Sequence, residues 1–214
     1  VVNLANSPEH QAIKNRLAKA QRNLAVKIRD LGFLPEGEIH SRGADSTPYD
    51  YGQSEAYDLA SIMDVAERAS SLDPKHNESL VESLSDEDSA ARYWAAMGLL
   101  MREEAGVKAG REQLRESLND EALPFRIIAA QALAQWGNEE DVKLAIPVLL
   151  KHSPIDQNDV FTSMLALNAF DAIDGRAASV QEQLAAMPKN GQVPPRMGAY
   201  VKNLLTKTLA DLKQ

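Results

Sequence analysis

The sequence predicts an all-α protein built as a short α-solenoid, an α-α superhelix of stacked helix pairs. Apolar residues return every three or four positions over most of the chain, and the second half repeats itself at a spacing of 34. Aromatic residues make up only 5% while Ala, Leu, Glu and Lys abound, a composition whose unbranched side chains lose little rotamer freedom in a helix. One long amphipathic helix and an extended linker are expected ahead of the stack. The boundaries are 1–34 for the terminal helix, 35–53 for the linker and 54–214 for the repeats.

The first helix is marked by Ser7-Pro8-Glu9. Ser7 is expected to cap the free amides, Pro8 fits the first helical position and Glu9 suits the positive end of the dipole. Ile13, Leu17, Ala20, Leu24, Ile28 and Leu31 then form one apolar stripe, flanked by Lys14, Arg16, Lys19, Arg22, Lys27 and Arg29. Gly32 is expected to end it. A single helix cannot bury such a stripe alone, so it either docks on later helices or meets a partner ahead of Val1; the second is favoured. Residue 1 is Val rather than Met, and the chain is expected to be a processed or excised piece of something longer.

Leu34-Pro35 through Gly52 holds three glycines and two prolines among polar residues. No helix or strand period survives there, and Ser46-Thr47-Pro48-Tyr49 reads as extended chain in a linker or ordered strap. The helical period resumes from Ser54 with Leu59, Ile62, Met63, Ala66 and Ala69, and Asp73-Pro74 stops it.

The repeat follows. Leu80, Leu84, Asp86, Arg92, Ala95, Ala96 and Leu99 recur 34 positions later as Leu114, Leu118, Asp120, Arg126, Ala129, Ala130 and Leu133. A looser third copy runs through Ile146, Leu150, Ala169 and Phe170, with Ser163 in the arginine's place and a longer turn around Ser153-Pro154-Ile155-Asp156. Two helices per unit at this period mean a stack in which each pair buries its apolar face against its neighbours. The turn Asp, the early Arg of the second helix and Ala-Ala-x-x-Leu resemble the HEAT repeat family. That resemblance implies Asp–Arg contacts between adjacent repeats, Arg92 with Asp120 or Asp86 with Arg126, and close helix approach at the alanines. The ladder is expected to end at the third copy, with residues 176 to 213 as the terminal cap.

Several chemistries are unsupported. The chain has no cysteine, which excludes disulfides, thiol catalysis and thiolate metal sites. The histidines at 10, 40, 76 and 152 never stand four apart on one helix, so no HExxH zinc motif exists. No Gly-rich phosphate cradle and no GxSxG elbow appears. Nowhere do about 18 apolar residues run together, so no membrane span is expected. Residues 1–54 carry 7 Lys/Arg against 6 Asp/Glu, and residues 55–214 carry 16 against 25. An acidic stack is a poor partner for nucleic acid, and this argues against the helical-repeat DNA glycosylases. Trp94 and Trp136 are expected to pack rather than stack on a ligand, and Gly98 to mark a close backbone approach.

Asn3-Leu4-Ala5-Asn6-Ser7-Pro8-Glu9-His10, the amphipathic helix and Arg29-Asp30-Leu31-Gly32-Phe33-Leu34-Pro35-Glu36 resemble the end of the catalytic domain of bacterial sulfatases. Glu36-Gly-Glu-Ile-His-Ser-Arg42 and Ser46-Thr-Pro-Tyr-Asp50 resemble the extension that leads, in some members, to helical repeats. The resemblance covers roughly residues 1 to 60. It implies a parent sulfuric ester hydrolase with a formylglycine, made from a C/S-x-P-x-R motif, beside a calcium ion. Neither is expected in this chain: its nearest spacings, Ala122-Leu-Pro124-Phe-Arg126 and Gln192-Val-Pro194-Pro-Arg196, offer no nucleophile. No catalytic, cofactor or metal residue is therefore assigned. The resemblance points to Glu36, Glu38, His40 and Arg42 for a contribution to the parent's substrate cleft; Glu36, Glu38 and His40 would share one side of an extended segment, and a solvated polar loop is the favoured reading of them.

Two functions follow. One is a non-catalytic region that braces its own upstream catalytic domain or mediates assembly with a protein partner or a second copy, in a periplasmic or secreted enzyme. The other is an independent HEAT-repeat adaptor that binds a protein on its concave face.

Overall fold

Helix pairs stack one on the next, and all regular structure among the described residues is helical. The computed structural model describes residues 2–212; Val1, Lys213 and Gln214, which the expectations above include, lie outside them. α1 spans Gln11–Ile28, α2 Glu36–Arg42, α3 Pro48–Gln53, α4 Leu59–Ser70, α5 Asn77–Ser83 and α6 Ser89–Leu100. α7 (Glu103–Ala109), α8 (Arg111–Glu116), α9 (Leu123–Trp136), α10 (Glu139–His152), α11 (Val160–Ile173), α12 (Gln181–Ala186) and α13 (Tyr200–Asp211) complete the chain. One layer is the series α4, α6, α9, α11 and α13, each packed on the next; α5, α7 with α8, α10 and α12 form the other.

The 34-residue repeat is a packing repeat. Leu80 and Leu114 are fully buried at equivalent places on α5 and α8, as are Ala95 and Ala96 on α6 and Ala129 and Ala130 on α9. Full burial of each leucine contributes about 1.5–3 kcal/mol relative to exposure. The alanines contribute less area but allow the α6 and α9 axes to approach. Gly98 extends this at the α4–α6 crossing, where an added Cβ would sit 2.8 Å from Ala69 Cβ and 3.0 Å from Leu80 Cδ1. Gly98→Ala is therefore expected to destabilise by about 1–3 kcal/mol through overpacking, even though alanine is the better helix former. The urea midpoint measures it, and a stabilised variant would refute the close approach.

Ion pairs tie the outer layer. Asp141, with no exposed surface, accepts from Arg115 Nε at 2.7 Å and lies 3.1 Å from Arg111 Nε, so α8 and α10 share one buried carboxylate. It also completes a capping box with Asn138 at the start of α10. Arg102 donates to the carbonyls of Arg68, Ala69, Gly98 and Asp73, satisfying the C-terminal end of α4.

His152 closes α10 from inside. It is 5% exposed, with Nδ1 3.4 Å from Asn158 Oδ1 and Nε2 3.4 Å from Arg126 Nη1. Burial lowers its pKa, the Asn158 contact opposes that only in part, and the charges of Arg126 and Lys151 lower it further. The unfolded chain thus takes up this proton first. Stability from this site should be complete above about pH 6.5 and be lost as pH falls through that value toward the lower folded pKa. Comparing urea midpoints near pH 5 and pH 7.5 should show a smaller difference in His152→Leu than in the parent; an equal difference would rule the site out as the cause.

Three expectations at the N-terminal end need correction. The linker is not extended: 36–42 and 48–53 are helices α2 and α3. Thr47 keeps extended backbone, and its side chain accepts from Asp50 N while Pro48 takes the first helical position. Gly32 does not end the first helix. Arg29 does, in a left-handed conformation at φ 53, its guanidinium donating to the carbonyls of Gly52, Ser54 and Tyr57. Ser7 makes no side-chain cap; its Oγ lies 3.1 Å from His10 Nδ1, and a 3₁₀ turn over Pro8–His10 precedes α1.

Candidate functional site

Two surfaces are unaccounted for by packing. The first is α1, whose stripe the later helices leave uncovered: Ile13 is 47% exposed, Leu17 58%, Leu24 57% and Ile28 56%. Ala25 is the only buried residue of α1, and Arg22 fastens the helix to Asp64 and Glu67 of α4. Between Gln11 and Ile28 the helix carries five basic residues and no acidic one.

The second surface is a groove beneath α2. That helix crosses from the start of α6 to the start of α11. At one end Arg42 donates to Glu38, to both oxygens of Asp88, to Ser89 Oγ and to Tyr51 Oη, all within 3 Å. In the same last turn of α2, the His40 ring stacks on Phe161 at 4.8 Å. Trp94 secures the preceding turn by donating to the Phe33 carbonyl at 2.8 Å. Burial works against the Arg42 charge, but hydrogen bonds to Asp88 and Tyr51 and the charges of Glu38 and Asp88 outweigh it and raise its pKa. Burial likewise opposes Asp88 ionisation; the Arg42 hydrogen bond and charge and the amides of Ala90 and Ala91 hold its carboxyl below the usual range.

The groove has two chambers that share Gly37, Pro124 and Thr162. One, of about 580 Å³, is walled by Tyr93, Phe161, Met164, Leu165 and Tyr200. The other, of about 620 Å³, lies over the starts of α6, α9 and α11, where Glu87, Asp88, Glu121 and Asp159 gather beside Glu38, Arg42 and Arg92.

The four residues singled out for a cleft are therefore helical, and they diverge. Successive positions on a helix turn by 100°, which separates residues that extended chain would align. Glu36 lines the apolar chamber, Glu38 and Arg42 the acidic one, and His40 packs on α11. Arg42 is committed to its carboxylates, so among these four the groups left for a ligand are Glu36, the ring nitrogens of the exposed His40 and one oxygen of Glu38.

Of the two rungs considered, Arg92 reaches Asp120 at 3.0 Å. Asp86 and Arg126 do not pair: Asp86 Oδ1 accepts from Asp88 N, and Arg126 donates to the Asp120 carbonyl of its own turn. Each arginine can reach only its own turn and the next repeat forward. Forward of Arg126, at the offset of 37 that sets Ser163 in the arginine's place, the counterpart of Asp120 is Gln157 rather than a carboxylate, and His152 stands near the guanidinium instead. Ser163, in the third arginine's place, is fully buried.

Among the described residues no group of three or more His, Asp or Glu could hold a metal ion. The calcium that the sulfatase resemblance implies finds no fitting ligand set among the described residues. No helix among them is long and apolar enough to cross a membrane.

These features define a helical-repeat protein of the α-solenoid class. Residues 72–168 match the HEAT repeats family, from the turn after α4 to the middle of α11. HEAT repeats are interaction scaffolds, whose stacked helices offer extended surfaces to other proteins. No curated protein matches the chain.

Proposed function

We propose that this chain is the non-catalytic helical-repeat region of a sulfatase-like hydrolase, carried on the catalytic domain by α1. The observation that carries the reading is the stripe from Ile13 to Ile28, about half exposed on a helix that the solenoid barely touches. Monomeric proteins seldom leave a contiguous apolar face of this kind uncovered. The residues around it supply the rest: Asn3-Leu4-Ala5 ahead of α1 and Gly32-Phe33-Leu34-Pro35-Glu36 after it are those that resemble the sulfatase terminus.

On this reading formylglycine and calcium belong to the catalytic domain, the enzyme is periplasmic or secreted, and the repeats brace that domain or shape the edge of its cleft through Glu36 and α2. The chain alone should not hydrolyse aryl sulfates. The coding sequence ahead of Val1 is the direct test. A C/S-x-P-x-R motif within a sulfatase-sized domain is the expected result; its absence, or turnover by this chain alone, would overturn the assignment and leave an independent HEAT-repeat adaptor.

A further inference from the structure

We propose that the groove beneath α2 binds an extended peptide of a partner protein, with one large apolar side chain in the first chamber and lysine or arginine in the second. The apolar chamber is of a size suited to side-chain or small-ligand binding, since such pockets run from roughly 300 to 1,000 Å³. Its walls include Phe161, Met164 and Leu165 of α11, each only partly buried, and Tyr200 of α13, 49% exposed. Its two charges, Glu36 and Arg196, are of opposite sign.

The second chamber is not balanced. It is lined by five carboxylates and two guanidinium groups. Arg42 is engaged by Glu38 and Asp88, and Arg92 turns away to Asp120 and to the carbonyls of Asp86 and Glu87. Glu87 and Glu121 are exposed, stand 34 residues apart, and so recur one repeat from the other along the same edge. Glu38 adds an independent sign: its side chain is 8% exposed, yet Oε1 has no hydrogen-bond partner. A buried carboxylate oxygen without a donor is costly, and a cationic donor is what would satisfy it.

The chemistry selects among ligands. Nucleic acid and sulfated or phosphorylated groups would meet net negative charge. A metal ion would find no converging ligands among the described residues. A chain with a basic residue beside an aromatic or aliphatic one meets both chambers at once, because they share Gly37, Pro124 and Thr162.

The test is fluorescence anisotropy with labelled hexapeptides titrated with the full chain. A central Trp, Leu or Ala is followed by Lys-Lys, Ser-Ser or Glu-Glu. Trp-Lys-Lys or Leu-Lys-Lys should bind at least about tenfold more tightly than the Ala, Ser or Glu counterparts, a difference of about 1.4 kcal/mol. Binding should weaken as salt screens the exposed carboxylates. Glu87→Lys with Glu121→Lys, and separately Tyr200→Ser, should each raise Kd about tenfold or more with unchanged circular dichroism. No binding by any peptide, equal binding of the Glu-Glu series, or indifference to both variants would overturn the proposal. So would a concentration-dependent dimer abolished by the same substitutions, which would assign the groove to a second copy.

Discussion

Arg42→Met should release α2 from the solenoid. The substitution keeps much of the aliphatic stem and removes one cation that serves two carboxylates, leaving the nearly buried Glu38 and the half-buried Asp88 facing each other across Ser89. Breaking a buried pair by deleting one partner costs about 3–5 kcal/mol, because the remaining charge stays out of water. Asp88 is protected from the full loss, since it also caps α6 through the amide of Ala90; the lower end of that range is expected. The solenoid has its own continuous core from Val65 to Leu205, which does not depend on this network. The loss should therefore be local. Amide exchange across 34–53 should quicken by about 100-fold, the equivalent of about 3 kcal/mol, while α6, α9 and α11 stay protected. Glu38→Gln in the same chain should recover part of the protection by removing the stranded charge. Exchange in 34–53 that matches the parent would show that other contacts, such as the His40–Phe161 stack, hold the strap.

This strap is where sequence reasoning went furthest astray, and the reason is physical. A seven-residue helix and a six-residue helix complete fewer than two turns each, too few for a 3.6-residue period to emerge. Gly37 and Gly52 lower intrinsic helix propensity further. What holds the segment helical is tertiary: Arg42 on Asp88, His40 on Phe161, Trp94 on the Phe33 carbonyl. One local signal was present in Thr47-Pro48-x-Asp50, an N-cap followed by proline at the first helical position. The repeats were legible because their determinants are local and recur: apolar spacing within each helix, and the same Leu, Arg and Ala-Ala at an offset of 34. The groove was not. Its walls come from α2, α6, α9, α11 and α13, and no spacing in the sequence announces that Glu36 and Tyr200 share a chamber. The buried Asp141 with Arg111 and Arg115 was missed for the same reason, its partners lying 26 to 30 residues away on another helix.

Charging the stripe of α1 should abolish its docking while leaving the chain folded. Leu17→Glu with Leu24→Glu places two carboxylates on positions 58% and 57% exposed, so the stability of this chain alone should change by no more than about 0.5 kcal/mol per site. The same positions within an interface behave differently. Each leucine, already about two-fifths buried, contributes about 1–2 kcal/mol on becoming fully buried, and a glutamate there must lose its water without a partner. Two such changes remove enough free energy to weaken association by 100-fold or more, at about 1.4 kcal/mol per tenfold. The measurement is a titration of the proposed catalytic domain, expressed separately, against the parent chain and the double variant, with urea unfolding of each chain in parallel. Lys19→Glu, on the same helix but outside the stripe, is the control for charge alone. Loss of binding in the double variant with an unchanged urea midpoint would make α1 the docking element. A double variant that binds as the parent does would detach the stripe from the catalytic domain, and with it the assignment of this chain to a sulfatase-like parent through α1.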